Sequence, residues 1–326
     1  MAHSSSQTFL VTGALGCIGA WTVYHLVKRG ERVVSFDLGD SRHRLAMLLT
    51  PAEQNEVTFV RGDLSDTAQI LEAFKAHQIT HVIHLAALQV PFCKVDPVKG
   101  ALVNVVGTVN VFESARQTGV AHLTYASSIA VYGPPEDYPS GPIPHDAPLA
   151  PTTLYGVYKQ ADEGIARVYW QDHHISSTTL RAYTVYGVGR DQGLTSDPTK
   201  AMLAAAAGQP FHINFGGSIQ LQWASDVALQ FIEAAEIPLM GAQGFNLGGE
   251  RVTIDQVVDA IRVVIPDARI THAEGGLPFP ESFDDTELRR HFQTIYTTPV
   301  SEGVRQTIQH FQACLADGRV QPPASR

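Results

Sequence analysis

A tyrosine and a lysine four positions apart have the spacing for shared chemistry. Tyr155 and Lys159 lie in YGVYK, which opens a stretch with helical spacing. Residues four apart share a helix face, so the phenol and the ammonium can point into one site. A phenol with a pKa of about 10 is a poor base at neutral pH, but a nearby ammonium lowers that pKa. The pair therefore predicts a tyrosinate that acts as a general base, whereas Tyr158 has no lysine four residues later.

Two serines offer a hydroxyl to the same site. Ser127 and Ser128 end an apolar, β-branched run, and a side chain at the carboxyl end of a parallel strand reaches the ligand cleft. Such a hydroxyl can donate a hydrogen bond to a substrate oxygen while the tyrosine moves the proton. Neither serine lies in a Gly-x-Ser-x-Gly sequence, which argues against a hydrolase.

A glycine-rich loop, TGALGCIG at 12–19, joins a predicted strand to a predicted helix. Gly13 allows a tight turn, Gly16 lets a pyrophosphate approach the backbone, and Gly19 lets the helix pack on the strand. The helix N-terminus offers N–H groups and a partial positive charge to the anion. The loop therefore predicts dinucleotide binding. The residues expected beside this coenzyme are Gly13, Gly16, Cys17, Ile18 and Gly19.

An acidic residue, Asp37, closes the second predicted strand. A carboxylate at this place accepts hydrogen bonds from both ribose hydroxyls of an adenosine and repels a 2′-phosphate. Arg42 and Arg44 follow and offer an alternative site for a phosphate. Because Asp37 lies at the tip of the strand and the arginines come later, the sequence favours NAD over NADP.

Apolar, β-branched runs alternate with stretches of helical spacing through the first half of the chain. The predicted strands are 8–12, 32–36, 57–60, 81–85, 121–126 and 176–181. The predicted helices are 17–29, 66–77, 98–118 and 155–174. Strands that are apolar throughout and separated by helices indicate a parallel sheet covered on both faces. We therefore predict an α/β fold with a doubly wound, Rossmann-type parallel sheet that binds its ligand at the carboxyl ends of the strands.

The alternation ends after about residue 182. The segments 187–220 and 266–300 are rich in Gly and Pro, and a strand-like GFNLG at 244–248 would return the chain to the first sheet. Further predicted helices are 199–207, 226–236, 253–265 and 301–316. The predicted domains are an NAD-binding Rossmann domain, 1–182 plus about 224–249, and a smaller, interleaved C-terminal substrate lobe, 183–223 and 250–326.

Composition and charge exclude several classes of partner. Charged residues make up 17% of the chain, and the net charge of −9 argues against a nucleic-acid partner. Cys17, Cys93 and Cys314 are odd in number and far apart, so we predict neither a disulfide framework nor a cysteine zinc site. His84 is expected to be a hydrogen-bonded core residue, and no metal site is predicted. The N-terminus lacks the apolar run of a signal peptide, and no window spans a membrane, so we expect a cytoplasmic protein without a membrane partner.

Several separate motifs resemble those of the extended short-chain dehydrogenase/reductases of the NAD-dependent epimerase/dehydratase type, such as UDP-galactose 4-epimerase. The matching residues are TGALGCIG (12–19), Asp37, GDL (62–64), HLAA (84–87), Asn104 with GT (107–108), SSIAVYG (127–133), YGVYK (155–159) and LRAYTVYG (180–187). The resemblance spans residues 8–187 and implies the Rossmann fold and NAD as the cofactor.

The resemblance also implies roles for individual residues. It implies that Ser128 is the catalytic serine, with Ser127 as the second choice, and that Lys159 holds the nicotinamide ribose as well as tuning Tyr155. Further cofactor-binding residues that it implies are Asp63, Leu64, Leu85, Ala86, Ala87 and Asn104. A homodimer is also expected.

The sequence departs from the family where the epimerases hold a substrate diphosphate. Gln89 stands where a lysine commonly follows the HLAA-type run, Thr184 where an asparagine is usual, and Ile219 where an arginine is usual. No acid follows Ser128, which makes a dehydratase improbable. We expect Gln89, Ser128 and Thr184 to contact the substrate, and nucleoside diphosphates to bind poorly. Cations that could compensate are Arg190, Lys200, Arg289 and Arg290.

The leading hypothesis is an NAD-dependent oxidoreductase that transfers a hydride at a secondary alcohol of a small polyhydroxylated substrate, a sugar or sugar acid. Tyr155 would take the hydroxyl proton, Ser128 would orient the oxygen, and Lys159 would tune the tyrosine. The alternative is a sugar or nucleotide-sugar epimerase that keeps its NAD bound; release of NADH distinguishes the two. A third hypothesis, a non-catalytic cofactor-sensing protein, has no use for the tyrosine, lysine and serine together.

Overall fold

The computed structural model describes residues 7–323 of the chain. Its strands are β1 (Thr8–Thr12), β2 (Arg32–Asp37), β3 (Val57–Arg61), β4 (His81–His84), β5 (His122–Ser128), β6 (Ser176–Ala182), β7 (Thr184–Tyr186), β8 (Phe211–Ile213), β9 (Ser218–Trp223), β10 (Ala242–Asn246), β11 (Glu250–Thr253) and β12 (Ile270–His272). Its helices are α1 (Cys17–Lys28), α2 (His43–Leu48), α3 (Pro51–Gln54), α4 (Thr67–His77), α5 (Val90–Val95), α6 (Pro97–Ala101), α7 (Gly107–Thr118), α8 (Leu154–His173), α9 (Asp197–Ala206), α10 (Ala224–Glu236), α11 (Ile254–Val264), α12 (Thr286–His291) and α13 (Val300–Ala316). A π-helical turn, Leu102–Val106, joins α6 to α7, and 3₁₀ turns lie at Ile129–Val131 and Pro135–Asp137.

A seven-stranded parallel sheet forms the centre of the molecule, in the order β10-β6-β5-β4-β1-β2-β3. Both faces of the sheet are covered: in β1, Phe9 and Val11 pack on one face and Leu10 on the other. The strand β6, SSTTLRA, is buried throughout although most of its side chains are polar. The strand order changes direction between β1 and β4, and ligands of doubly wound sheets bind at such a switch point. The predicted α/β Rossmann fold is confirmed.

A strand from the second half of the chain joins this sheet, as the sequence predicted. The predicted strand 244–248 corresponds to β10, which pairs with β6 in parallel at the edge of the sheet. The helix before it, α10, packs against α1. Among residues 7–323, none of the helices has both the length and the apolar character needed to span a membrane.

Five short strands were not predicted, and all lie in the segments assigned to the second lobe. β7, β9 and β11 form a three-stranded sheet, and β8 pairs with β12. Within the Gly- and Pro-rich segments 187–220 and 266–300 lie β8, β12, α12 and the start of β9, none of which was predicted. The predicted helix 98–118 was also wrong in detail, because it is interrupted by the π-helical turn. That the second lobe binds the substrate stays a prediction.

Polar contacts join the second lobe to the first. The indole Nε1 of Trp21 in α1 donates to the carbonyl of Val188, 2.9 Å away. Arg44, in α2, donates through its Nε to the carbonyl of Gly189 at 3.0 Å. These contacts hold the loop after β7 across the carboxyl ends of β1 and β2, so that a cleft forms between this loop and the sheet.

Candidate active site

The turn after β1 is built from glycines that have no room for a side chain. Gly13 has a φ of +66°, and a Cβ there would lie 2.7 Å from the backbone of Ala86. A Cβ on Gly19 would lie 2.7 Å from the Cα of Ala14. Gly16, by contrast, has only the carbonyl of Gly13 near its missing side chain, at 3.1 Å. Packing therefore requires Gly13 and Gly19, while Gly16 leaves space for a ligand at the N-terminus of α1.

A cavity of about 490 Å³ opens at this turn, at the carboxyl ends of β1, β2 and β4. It brings together most of the residues that were predicted to contact the coenzyme. Those that line it are Gly13, Gly16, Cys17, Ile18, Gly19, Asp37, Asp63, Leu64, Leu85, Ala86 and Ala87. Gln89, predicted to contact the substrate, lines the same cavity.

Asp37 is held at the edge of the cavity by two backbone donors. Its Oδ2 accepts from the N–H of Leu15 and its Oδ1 from the N–H of Gly39, each at 3.0 Å. Both carboxylate oxygens retain further lone pairs, as a ribose diol requires. The arrangement fixes the position of the negative charge that would repel a 2′-phosphate.

The two arginines after Asp37 are engaged elsewhere. Arg44 donates to Asp191 at 2.6 Å and to the carbonyls of Leu15 and Gly189 at 2.8 and 3.0 Å. The guanidinium carbon of Arg42 lies 3.5 Å from the centre of the Phe59 ring. Because Arg44 is fully engaged and Asp37 fixes a negative charge at the edge of the cavity, the geometry favours NAD over NADP.

His84 is a core residue and not a metal ligand. Its Nδ1 is hydrogen-bonded to Thr12 Oγ1 at 2.6 Å and its Nε2 to Thr108 Oγ1 at 3.1 Å. Burial lowers the pKa of His84 to about 3, and the charge of Lys159 contributes to this lowering. Within residues 7–323 no three His, Cys, Asp or Glu side chains lie close enough together to hold a metal ion.

Asn104 was predicted to bind the coenzyme, but within residues 7–323 it does not belong to the cavity lining. It is fully buried in the π-helical turn, where its Oδ1 accepts from the N–H of Leu88 at 2.7 Å and its Nδ2 donates to the carbonyl of Leu88 at 2.9 Å. Asn104 therefore fixes the backbone beside Ala86 and Ala87, and any effect on the coenzyme passes through that backbone.

The two serines at the end of β5 differ in their surroundings. Ser127 is buried, and its hydroxyl donates to Glu163 Oε1 at 2.7 Å. Ser128 is partly exposed, and its Oγ accepts from the N–H of Ala130 at 3.2 Å, which leaves its proton available to a substrate. The geometry favours Ser128, the first choice from the sequence.

The first turn of α8 carries Tyr155 to the segment that follows Ser128. Thr153 caps the helix, with its Oγ1 accepting from the N–H of Gly156 at 3.1 Å. Gly156 packs directly on the carbonyl of Ala130, where a Cβ would overlap with it. Tyr155 is partly buried at this junction, whereas the hydroxyl of Tyr158 donates to the carbonyl of Pro97 at 3.0 Å.

Lys159 lies one turn further along α8 and is buried. Its Nζ is 3.1 Å from Asp162 Oδ2, and Asp162 is fully buried as well. Burial raises the pKa of Asp162 to about 6, against the attraction of the ammonium. The sequence analysis missed Asp162, although a carboxylate three residues after a lysine in a helix is a usable signal. Lys159 interacts electrostatically with both Tyr155 and His84.

The predicted substrate contacts do not all meet in one place. Thr184 is fully buried in β7, and its hydroxyl has no hydrogen-bond partner within the described chain. Within that same part of the chain, the cavity lining stops short of Ser128, Tyr155 and Lys159. Lys159 is close enough to His84 for its charge to lower the pKa of that histidine, and His84 directly precedes the segment Leu85 to Ala87 that lines the cavity. That Ser128, Tyr155 and Lys159 form a catalytic group and that Thr184 contacts the substrate stay predictions.

Comparison with known proteins is consistent with this geometry. The sequence profile of the NAD dependent epimerase/dehydratase family matches residues 9–245. The chain belongs to this family. UDP-glucose 4-epimerase of Mycolicibacterium smegmatis is 29% identical over 314 residues, which cover 93% of this chain and 98% of the relative.

Two similar solved structures are of enzymes with different activities, an epimerase and a dehydrogenase. UDP-glucose 4-epimerase of Thermus thermophilus, in complex with NAD, has a TM-score of 0.79 and 28% identity, covering 95% of this chain and all of the other. A partial consensus L-threonine 3-dehydrogenase has a TM-score of 0.83 and 26% identity, covering 94% and 99%. This family member is therefore an NAD-dependent enzyme of the extended short-chain dehydrogenase/reductase type.

The residues of this epimerase/dehydratase family member fit NAD. The space at Gly16, the N-terminus of α1 and the fixed carboxylate of Asp37 match the pyrophosphate and the adenosine ribose. Asp63 and Leu64 line the cavity close to Asp37, where the adenine would lie. A non-catalytic cofactor-sensing role is not supported, because the family consists of enzymes.

Proposed function

We propose that the protein transfers a hydride between NAD and a secondary alcohol of a small polyhydroxylated substrate, a free sugar or sugar acid. The observation that carries this proposal is the junction of α8 with the end of β5. There Gly156, the residue after Tyr155, packs on the carbonyl of Ala130, two residues after Ser128, and this contact supports a joint role for Ser128, Tyr155 and Lys159.

Each member of this group has a distinct task. When bound, NAD supplies a nicotinamide ring that accepts a hydride from the carbon of the alcohol. Tyr155, as the phenolate, takes the proton of the hydroxyl. The ammonium of Lys159 stabilises that phenolate, and Ser128 Oγ donates a hydrogen bond to the substrate oxygen. The products are a ketone, NADH and a proton passed on from Tyr155.

The charges of the second lobe support a substrate without a diphosphate. Three of the four cations that could compensate for the missing arginine are in ion pairs: Arg289 with Asp285, Arg290 with Glu287, and Lys200 with Asp197. Ile219, where the family arginine is usual, is fully buried in an apolar core. A diphosphate buried without partners would pay a desolvation penalty of several kcal/mol. The similar L-threonine 3-dehydrogenase is named for a small polar substrate, which fits this proposal.

The second candidate is an epimerase that oxidises and re-reduces a sugar, free or nucleotide-linked, while NAD stays bound. Relatives named UDP-glucose 4-epimerase favour it. So does the contact of Arg44 with Asp191, because it closes the second-lobe loop over the coenzyme cavity. The same Ser128, Tyr155 and Lys159 serve both reactions.

A screen for NADH release separates the two candidates. Purified protein is mixed with NAD and a panel of free sugars and sugar acids, and absorbance of NADH is followed. We expect NADH to accumulate with at least one of them. In calorimetry of the NAD-loaded protein, UDP, dTDP and GDP should bind in the millimolar range or more weakly, at about −4 kcal/mol. Micromolar binding of any of these nucleotides, with epimerisation and no free NADH, would establish the epimerase instead.

We also propose that the protein is a homodimer. Exposed apolar side chains occupy neighbouring positions on the segment from α5 to the π-helical turn and on the first turn of α8, which pack side by side. The members of this apolar stripe are Val95, Val98, Leu102, Val106, Leu154 and Val157.

A cytoplasmic location is proposed as well, because Cys17, Cys93 and Cys314 are free thiols, and a reducing compartment keeps thiols in this state.

A further inference from the structure

One arginine of the second lobe lies in the coenzyme cavity. Arg190 belongs to the loop after β7, and this loop lines the cavity together with Gly16 and Cys17 of the glycine turn. The Nη2 of Arg190 donates to Thr195 Oγ1 at 3.2 Å. Its Nε is buried and has no hydrogen-bond partner within the described chain. Among residues 7–323, Arg190 forms no ion pair with a carboxylate, in contrast to the paired Arg44.

The charge of Arg190 reaches the N-terminus of α1. Burial raises the pKa of Cys17 to about 11, and Arg190 is the cation that opposes this rise most strongly, ahead of Arg44. Cys17 is the first residue of α1, so the guanidinium and the helix N-terminus act on the same region of the cavity. An anion placed beside Gly16 would meet both positive potentials.

Arg190 also lies next to Gln89. At Gly193, whose φ is +96°, a Cβ would be 3.1 Å from Arg190 Nη2 and 3.4 Å from Gln89 Cδ, so these two side chains converge on one point. A cation at position 89 would therefore lie beside the guanidinium of Arg190.

We propose that Arg190 binds the pyrophosphate of NAD from the second lobe. A planar guanidinium offers forked donors to phosphate oxygens. Asp191, the next residue, pairs with Arg44 at 2.6 Å and with His43 at 3.0 Å, so the loop is fixed to the first lobe. Coenzyme binding and the position of the second lobe are therefore coupled through Arg190.

The test is a titration of NAD, which needs no substrate and so does not depend on the proposed reaction. Trp21 donates to the same loop at Val188, and its fluorescence can report on coenzyme binding. Arg190→Gln should weaken NAD binding about tenfold or more. Lys94→Gln is the matched control, because Lys94 is an exposed cation on α5 that, among the described residues, does not belong to the cavity lining; it should change the affinity about twofold at most. Adenosine, which has no phosphate, should bind equally to the wild type and to Arg190→Gln.

A second pair of variants tests the link to position 89. Adding Gln89→Lys to Arg190→Gln should recover at least half of the lost affinity on a logarithmic scale. Arg190→Lys keeps the charge without the forked donors and should give an intermediate affinity, and it serves if Arg190→Gln does not fold. The proposal is overturned if Arg190→Gln binds NAD as the wild type does, if it weakens adenosine equally, or if Gln89→Lys recovers nothing.

Discussion

Tyr155 is the residue on which the proposed chemistry depends most directly. Tyr155→Phe removes the group that takes the proton and leaves the coenzyme cavity intact. We expect kcat to fall by about 10² to 10⁴-fold, the usual contribution of general base catalysis, while the affinity for NAD is nearly unchanged. Turnover is measured with a substrate from the NADH screen, and NAD binding by fluorescence titration.

The neighbouring Tyr158 provides the control for this prediction. It lies in the same helix, but its hydroxyl donates to the carbonyl of Pro97 outside the catalytic group. Tyr158→Phe should keep kcat and lower the free energy of unfolding by about 1 kcal/mol, the value of one hydrogen bond. If Tyr158→Phe abolished turnover and Tyr155→Phe did not, the roles assigned to the two tyrosines would be reversed.

Asp162 should set the pH range over which Lys159 is charged. Burial alone would lower the pKa of Lys159, but the charges of Asp162 and Tyr155 raise it above its ordinary value. Asp162→Asn removes a negative neighbour and leaves the burial, so the pKa of Lys159 must fall. We expect the alkaline decline of kcat/KM to move to lower pH by about 1 to 3 units, the effect of one close opposite charge.

The matched control for Asp162 is Asp172→Asn, near the exposed end of the same helix. In Asp172→Asn, the decline of kcat/KM at alkaline pH should occur at the same pH as in the wild type. If the alkaline decline of kcat/KM occurred at the same pH in Asp162→Asn and in the wild type, Asp162 would not be the residue that keeps Lys159 protonated. Asp162→Glu, which keeps the charge, should retain most of the wild-type profile.

At the scale of elements, the position of α8 depends on one close contact. A Cβ on Gly156 would overlap with the carbonyl of Ala130 and lie 2.8 Å from Pro151 Cβ. Gly156→Ala must push α8 away from the end of β5. We expect the free energy of unfolding to fall by about 1 to 3 kcal/mol, as in other overpacked sites, and turnover to fall with it. Urea denaturation and the NADH assay measure the two effects.

Gly164→Ala in the same helix gives the opposite expectation. A Cβ on Gly164 would have only Arg167 Nη2 nearby, at 3.8 Å. This substitution should raise the free energy of unfolding by about 1 kcal/mol through helix propensity and leave turnover unchanged. Equal stability changes in the two alanine variants would show that the contact with Ala130 does not constrain α8.

The elements of the first half could be predicted from the sequence because their signals are local. Strands such as β1 and β2 are largely apolar runs, and the glycine turn follows β1 directly. The strands β7, β8, β11 and β12 have only three or four residues, too few to show a period. The strand β9, SIQLQW, does alternate polar and apolar residues, and this signal was missed. The π-helical turn was missed because its residues continue the helical spacing on both sides.

In the candidate site, too, residues within one short motif could be predicted, whereas contacts between residues distant in the sequence could not. Tyr155, Lys159 and Gly156 are read from one short motif, and their packing follows from it. From the sequence, Arg190 was identified only as a cation that could contact the substrate. The residues around it in the sequence do not indicate that it lies close to Gln89. The two meet only when the second lobe folds over the sheet. Thr184 is buried in β7, which pairs with β9, and its contact with the substrate stays a prediction.

At the scale of the whole molecule, the two lobes form one unit around the coenzyme. The C-terminal helix α13 reaches the first lobe, where His310 Nε2 is hydrogen-bonded to the carbonyl of Met47 at 2.6 Å. The loop after β7 is fixed at Arg44 and Trp21. Because this loop also lines the coenzyme cavity, we expect the release of NAD to be faster when its contacts with α1 and α2 are weakened. A dehydrogenase releases NADH in each turnover, whereas an epimerase need not.

The apolar stripe predicts how two copies of the chain associate. Val98 is 71% exposed on α6, and Val157 is partly exposed on the neighbouring α8, so the stripe presents one face of adjacent helical segments. A twofold axis beside this face would bury the same side chains on both copies.

We expect the wild type to sediment as a dimer, and the double variant Val98→Lys, Val157→Lys to be monomeric, because four ammonium groups would meet at the axis. Val263→Lys is the control, since Val263 is 84% exposed on α11, outside the stripe, and should leave the dimer unchanged. Analytical ultracentrifugation over a range of concentrations decides the matter, and NAD titration shows that the monomer is still folded. A wild type that stays monomeric at every concentration, or a double variant that stays dimeric, would contradict this interface.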